Sequence, residues 1–141
     1  MAGAREALTF VVGFDGSDAA RRGLAYVGEL AAEARNVVVV TVTPDLGASS
    51  ITSETLARDD FDPERLLEEA AELLAQTDVT SVERRAATGD PARVLVDVTR
   101  EVDADLLIVG RRGADFVART LLGSVAQQVV EQASCDVLVV R

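Results

Sequence analysis

The sequence predicts an α/β fold, a single domain over residues 1–141 with a five-stranded parallel sheet and helices on both faces. A chain of 141 residues has the usual length of one domain. Its apolar content includes short valine-rich runs, which are typical of buried parallel strands. These runs alternate with amphipathic segments of helical period along the chain, and regular alternation of this kind favours one parallel sheet.

The first part of the chain predicts two strands on either side of a helix. Leu8–Phe14 is an apolar run of strand length, and the turn Asp15-Gly16-Ser17-Asp18 after it offers residues that cap helices. Apolar residues recur at helical spacing over Asp18–Ala34, and Asn36 is expected to break that helix. Val37–Val42, apolar apart from one threonine, is predicted to be a buried strand.

The middle of the chain predicts a long loop, a helix and an edge strand. Leu46–Asp62 has no clear period, so we expect a loop with a short helical piece near Glu54–Arg58. A helix is expected to start with Pro63 in its first turn and to run to Ala75. Val79–Ala87 alternates in part and is interrupted by charges, as edge strands often are.

The last part predicts two further helix–strand pairs. The turn before Ala92 starts a helix that runs to Val102, and Asp105–Val109 is the fourth strand. A helix over Ser124–Ala133 and a strand over Asp136–Val140 complete the chain. Each crossover between parallel strands should be right-handed.

Charge and composition exclude several classes of partner. The chain has 24 acidic residues against 14 arginines and no lysine, for a net charge of −10. Such a surface repels phosphates, so we expect no nucleic acid partner. No apolar stretch approaches the roughly 20 residues that span a bilayer, and no leader is evident, so we expect no membrane partner and a cytoplasmic location. The acidic excess is typical of proteins adapted to high salt, or of an ordinary acidic protein from a GC-rich genome.

The residue types also limit the chemistry. A GxxxxGK[ST] phosphate loop is excluded by the lack of lysine, and GxGxxG does not occur after the first strand. With no histidine and only Cys135, catalytic Ser-His-Asp or Cys-His sets, histidine-bearing zinc sites and thiolate clusters are excluded. What remains is Mg²⁺ or Mn²⁺ with oxygen ligands, carried in by a nucleotide.

A glycine pattern marks the candidate site. It reads Gly110-x2-Gly113-x9-Gly123-Ser124 and is expected to link the fourth strand to a helix, with Ser124 as N-cap or first-turn residue. Glycines let backbone N–H groups approach a ligand, and a helix N-terminus attracts anions. The turns after the other strands should lie at the same edge of the sheet, where such folds bind ligands.

On these residues the chain resembles the universal stress protein family, whose nucleotide-binding members carry G-x2-G-x9-G-[S/T] after the fourth strand. The resemblance extends to Val11–Ser17, Gly89–Ala92, Ala104–Gly110 and Cys135–Val140. It implies the strand order 3-2-1-4-5, ATP as ligand and a homodimer formed through the last strand. The exposed apolar edge that Val137–Val140 would otherwise present agrees with such a dimer.

The resemblance also implies a role for each site residue. Asp15 would hold polar atoms of adenine or ribose, Val42 would present backbone groups and an apolar surface to adenine, and Gly89 would pass close to the nucleotide. The residues of the glycine pattern would wrap the ribose and phosphates, namely Gly110, Gly113, Gly123 and Ser124. The chain departs from the family pattern at Thr41, where histidine is common, and at Asp115 and Phe116 within the glycine loop.

Three functions remain open at this point. The first is a nucleotide-binding stress or regulatory protein with at most slow ATP hydrolysis, because no histidine base and no lysine clamp is available. The second is an interaction module of the same fold with an empty pocket, or with AMP or cyclic AMP bound. The third is an enzyme that uses the same crevice, such as an adenylyl transferase. At the level of single residues, Asp15 could instead cap the first helix, and Gly123-Ser124 could be an ordinary turn and cap.

Overall fold

Five strands run parallel in one sheet, in the order β3-β2-β1-β4-β5, which confirms the predicted fold class and strand order. The computed structural model describes residues 8–30, 34–44, 61–111 and 122–141. The elements follow one another as β1 (Leu8–Gly13), α1 (Asp18–Glu29), β2 (Ala34–Pro44), α2 (Pro63–Ala75), β3 (Val82–Gly89), α3 (Pro91–Glu101), β4 (Leu106–Gly110), α4 (Ser124–Gln132) and β5 (Asp136–Val140).

Helices cover both faces of the sheet, and each face has its own apolar core. Alternate residues of a strand point to opposite faces, so the buried valines divide between the two cores. On one face α1 and α2 pack against β1 and β2 through Leu24, Val27, Leu67, Leu74, Phe10, Val12, Val37 and Val39. On the other face α3 and α4 pack through Leu95, Val96, Ala126, Val129, Val11, Val38, Val40 and Leu107.

The strand order reverses between β1 and β4. From β1 the chain passes over α1 to β2 on one side, and from β4 it passes over α4 to β5 on the other side. In open α/β sheets ligands bind at the carboxyl ends of the strands beside such a reversal. The fold therefore places its natural binding crevice above β1.

The first helix is shorter than predicted. It ends at Glu29 with Leu30 as its C-cap, and Ala34 already belongs to β2. Asn36, expected to break the helix, lies inside β2 and pairs with Thr9 of β1. The reason is length, because 12 helical residues at about 1.5 Å rise match the six residues of β1 at about 3.3 Å. A helix that continued to Ala34 would overrun the sheet.

Strands β2 and β3 also differ from their predicted bounds. β2 covers Ala34–Pro44 rather than Val37–Val42. β3 begins at Val82 instead of Val79 and continues to Gly89. The later start follows from a local turn, because the Thr77 hydroxyl accepts a 3.2 Å hydrogen bond from the Val79 N–H. The other elements agree with their predicted bounds to within one residue, and β5 agrees in full.

The outer edge of β3 carries charge. β3 lies at one end of the sheet, which confirms the predicted edge strand. Arg85 donates to Glu83 over 2.6 Å and also pairs with Glu101 of α3. Charged side chains on an edge strand discourage pairing with another chain. The opposite edge, β5, reads DVLVV and carries only Asp136 as a charge.

Candidate functional site

A notch forms above β1 because this strand ends before its two neighbours. Gly13 at the end of β1 is level with Val40, so β2 continues for four more residues to Pro44. On the other side Val12 is level with Ile108, so β4 continues past the end of β1 to Gly110. The three strand ends therefore form a notch in the sheet where the strand order reverses.

One wall of the notch is the overhang of β2. The Phe14 N–H donates to the Val40 carbonyl oxygen over 2.9 Å, so the peptide groups of Val40 face β1. Alternate residues of a strand direct their peptide groups to the same side. Val42 therefore directs its N–H and carbonyl toward the space above β1, while its partly buried side chain packs against the core under α3 and α4.

The floor of the notch is the turn between β1 and α1. Asp15 is exposed, and its Oδ1 accepts a 2.9 Å hydrogen bond from the Ser17 N–H. The alternative in which Asp15 caps α1 is wrong, because Ser17 is the N-cap and its hydroxyl accepts from the Ala20 N–H. The cap leaves Asp15 at the edge of the sheet, beside the notch.

Gly16 gives this turn its shape. Its φ of +81° lies in the left-handed region, which glycine adopts without strain. A Cβ placed on Gly16 would lie 2.8 Å from Cδ2 of Leu66, so the turn rests directly on the first turns of α2. No pattern in the sequence predicts this contact between the first turn and α2.

The second wall combines β4 with the start of α4. The Arg111 N–H donates to the Val140 carbonyl over 2.5 Å, and the Gly123 N–H donates to the Arg111 carbonyl over 2.8 Å. The second bond brings Gly123 back beside the end of β4. Gly110 and Gly123 of the glycine pattern therefore meet, although 12 residues separate them in the chain.

The N-terminus of α4 differs from those of the other helices that the structure describes. Side chains of Ser17, Asp62 and Asp90 cap α1, α2 and α3. At α4 the N-cap is Gly123, which has no side chain to cap with, and the exposed Ser124 is the first helical residue. The first N–H groups of a helix make an anion site when nothing in the chain occupies them.

Not every predicted site residue lies in the notch. Gly89 ends β3 and pairs with Pro44, which puts it two strand spacings from β1, about 10 Å. Its φ of +145° explains why glycine is needed there. Gly113, Asp115 and Phe116 lie outside the described residues, as does the predicted helical piece near Glu54–Arg58.

Sequence reasoning singled out Thr41 only as a departure from a family pattern. In the structure it is fully buried, and its hydroxyl donates to the Phe14 carbonyl over 2.8 Å. A threonine inside an otherwise apolar strand is the signal that could have revealed this bond, because buried hydroxyls need a partner.

Clustered metal ligands and the thiol of Cys135 are two other groups that could supply chemistry. Within the described ranges, no cluster of three or more Asp, Glu, Cys or His side chains is placed to hold a metal ion. Cys135 packs under α3 and α4, and burial raises the pKa of its thiol. Among the helices of those ranges, none has the length and apolarity needed to cross a membrane.

Comparison with known proteins agrees with this geometry. The model of the universal stress protein family matches residues 8–141. A universal stress protein of Mycobacterium tuberculosis is 33% identical over 139 residues, which cover 94% of this chain and 95% of the relative.

Two solved structures are similar to this chain. A universal stress protein in complex with cAMP is 32% identical with a TM-score of 0.73, covering 95% of this chain and 97% of its own. The protein UspA of Lactobacillus plantarum has a TM-score of 0.81 at 22% identity, and the match covers 98% of this chain and 100% of UspA. It shows the common fold.

Proposed function

Because the chain belongs to the universal stress protein family, we propose that it is a stress-response protein that binds an adenine nucleotide, ATP first, above β1. One observation carries the proposal. β1 ends between two longer strands, and the uncapped N-terminus of α4 borders the opening. The notch thus offers backbone groups on one side and an anion site on the other. The cytoplasmic location stays a prediction.

The nucleoside half of the ligand binds between β2 and the β1–α1 turn. The N–H and carbonyl of Val42 face this space and match the donor and acceptor pattern of an adenine edge. The exposed carboxylate of Asp15 is a hydrogen-bond acceptor for ribose hydroxyls or for the adenine amino group. A base placed here would lie in the crevice where α/β sheets bind ligands.

The phosphates bind at the start of α4. Within the described residues no side chain caps this helix, which leaves its first N–H groups to phosphate oxygens. The absence of a Cβ at Gly123 allows phosphates to approach the backbone, and the hydroxyl of Ser124 adds a donor. Gly110 borders the same wall, and Gly113 completes the pattern in the sequence. Gly89 ends β3, two strands away from β1, and so lies outside the notch.

The choice of nucleotide rests on two facts. A structure 32% identical to this chain contains cAMP, which supports an adenine nucleotide in general. The full pattern Gly110-x2-Gly113-x9-Gly123-Ser124 supports ATP, since it is the pattern carried by the family's nucleotide-binding members. AMP and cAMP are the competing ligands, and an empty pocket is the competing state.

Binding rather than rapid turnover is the proposed activity. The chain has no histidine and no lysine, so a histidine base and a lysine clamp for the γ-phosphate are both lacking. Mg²⁺ or Mn²⁺ would arrive with the nucleotide and keep most of its ligands as phosphates and waters, as Mg²⁺ commonly does. Asp15, in the turn at the floor of the notch, is a carboxylate that could help orient such an ion.

Calorimetry with ATP, AMP and cAMP, each with and without Mg²⁺, tests the proposal. We expect all three to bind with ATP the tightest, and removal of Mg²⁺ by EDTA to weaken ATP more than AMP. A mass spectrum of the ligand released from the purified protein gives a second, independent answer. If no nucleotide produces heat and none is released, the proposal fails, and rapid turnover of ATP would favour an enzyme instead.

We further propose that two copies pair through β5. The Val140 carbonyl accepts from Arg111 on the β4 side, so the peptide groups of Val137 and Val139 face outward by the alternation of the strand. Proline tolerates an edge position whose N–H faces outward. Light scattering should find a dimer for the native protein and a folded monomer for Val139→Pro. Leu138→Pro, which removes an N–H that faces β4, should instead destabilise the fold; a native-sized dimer in Val139→Pro would contradict the pairing.

A further inference from the structure

Two threonines are the buried polar residues in the described part of the chain. Thr41 is 0% exposed and Thr99 is 2% exposed. Thr99 donates to the Val96 carbonyl within its own helix α3 over 2.6 Å, which is a local bond. Thr41 instead donates to the Phe14 carbonyl, 27 residues away and just past the end of the neighbouring strand β1. Only the second bond ties together two segments that border the notch.

The bond lies where the pairing of β1 and β2 ends. The Phe14 N–H donates to Val40 over 2.9 Å, and the Phe14 carbonyl accepts from the Thr41 hydroxyl over 2.8 Å. A side chain thus continues the pairing one step beyond the strand. Because Phe14 is itself buried, with 2% exposure, water does not offer its carbonyl an easy replacement partner.

The peptide that Thr41 holds is the one that leads into Asp15. A peptide unit is planar, so a fixed Phe14 carbonyl also fixes the direction of the Asp15 N–H and the position of its Cα. Thr41 is in turn covalently joined to Val42. We propose that Thr41 is the positioning residue that sets Asp15 relative to Val42, and so fits the notch to the nucleoside half of its ligand.

This inference rests on the proposed nucleotide site and adds to it a residue that does not touch the ligand. The bond between Asp15 and Ser17 is local, and the contact of Gly16 with Leu66 joins the turn to α2, so neither of these two contacts sets Asp15 relative to β2. Loss of the Thr41 hydroxyl should therefore loosen the distance between the two nucleoside groups while the turn itself stays formed.

Three variants separate positioning from general stability. Thr41→Val keeps the shape of the side chain and removes its hydroxyl, whereas Thr41→Ser keeps the hydroxyl. Thr99→Val is the matched control, because it removes the other buried hydroxyl at a site in the second half of α3. For each, calorimetry measures Kd for adenosine and for ATP with Mg²⁺, and urea titration measures the unfolding midpoint.

We expect Thr41→Val to weaken adenosine and ATP by the same factor of about ten, the loss typical of one hydrogen bond. Thr41→Ser should bind within about twofold of the native protein, and Thr99→Val should lower the midpoint without changing either Kd. Amide hydrogen exchange at Phe14, whose N–H donates to Val40 beside the lost bond, should speed up in the ligand-free Thr41→Val variant. Exchange at Ser17, whose N–H is held within the turn by Asp15, should stay unchanged.

The outcomes distinguish this inference from the proposal beneath it. If the native protein binds adenosine and ATP, but Thr41→Val binds them equally well, the positioning role is wrong and the nucleotide site stands. A Thr99→Val variant that loses affinity as much as Thr41→Val would also overturn it, since stability would then explain both. If the native protein binds neither compound, the nucleotide site fails and the positioning role fails with it.

Discussion

Thr9 and Asp105 exchange two hydrogen bonds at the start of the neighbouring strands β1 and β4. The Thr9 N–H donates to the Asp105 carboxylate over 2.8 Å, and the Asp105 N–H donates to the Thr9 carbonyl over 2.8 Å. The pair fixes the register of β1 against β4 at the N-terminal ends of these strands, opposite the notch. The positions of Asp15 and Gly110 at the other ends of the strands depend on that register.

Replacement of Asp105 should weaken the fold without altering the site. We expect Asp105→Ala to lower the free energy of unfolding by about 1–2 kcal/mol, because the Thr9 N–H loses its acceptor. Asp105→Asn keeps an oxygen acceptor and should cost less. Urea denaturation measures the change, and calorimetry should find an unchanged Kd for ATP in both variants. A large loss of ATP affinity in Asp105→Asn would contradict a nucleotide site at the opposite ends of the strands.

Bulk at Gly123 should abolish nucleotide binding. Its φ of −63° is accessible to any residue, so the backbone conformation does not require glycine there. Gly123→Val should weaken ATP by more than about 100-fold, since a side chain would then occupy the approach to the first N–H groups of α4. Gly123→Ala should give an intermediate loss, and circular dichroism should show both variants folded. Native affinity in the valine variant would locate the phosphates elsewhere.

A side chain at Gly16 should strain the turn below the notch. Gly16→Ala is expected to cost about 1–2 kcal/mol, the price of a left-handed residue with a Cβ. The contact with Leu66 adds little, because its Cδ2 lies at the far end of a flexible side chain. A double-mutant cycle with Leu66→Ala should show a coupling of only a few tenths of a kcal/mol. A coupling as large as the whole loss would show that packing, not φ, demands glycine.

Salt should raise the melting temperature if the acidic excess reflects adaptation to high salt. A net charge of −10 repels itself in dilute buffer, and molar KCl screens that repulsion. The exposed acids of α2 offer a control, since Glu64, Glu68 and Glu72 can be changed together to glutamine. The triple variant should show a smaller rise. A melting temperature that does not change between dilute and molar KCl would contradict the adaptation to high salt.

Valine runs and helical periods are strong local signals, and they predicted the strands and their alternation with helices, whereas the strand order followed from the family resemblance. The local signals failed at Ala34, whose spacing continued the first helix although it belongs to β2. The glycine pattern marked one part of the candidate site by its spacing, and the roles of the site residues followed from the resemblance. Their spatial relation was not predicted, because the notch depends on the register of Val40 and Ile108 against β1. The bond from Thr41 to Phe14 also needed coordinates, since the two lie 27 residues apart.

The contrast between the two edges of the sheet limits how far assembly can go. If β5 pairs with its copy, each molecule uses the one edge strand that is open to pairing, and assembly stops at the dimer. The β3 edge, with Arg85 held between Glu83 and Glu101, resists pairing with another chain. A protein in which both edge strands could pair would instead extend into a continuous sheet of many copies. In such a pair the charges on β3 would decide the size of the assembly, although they lie at the other end of the sheet from the surface that forms it.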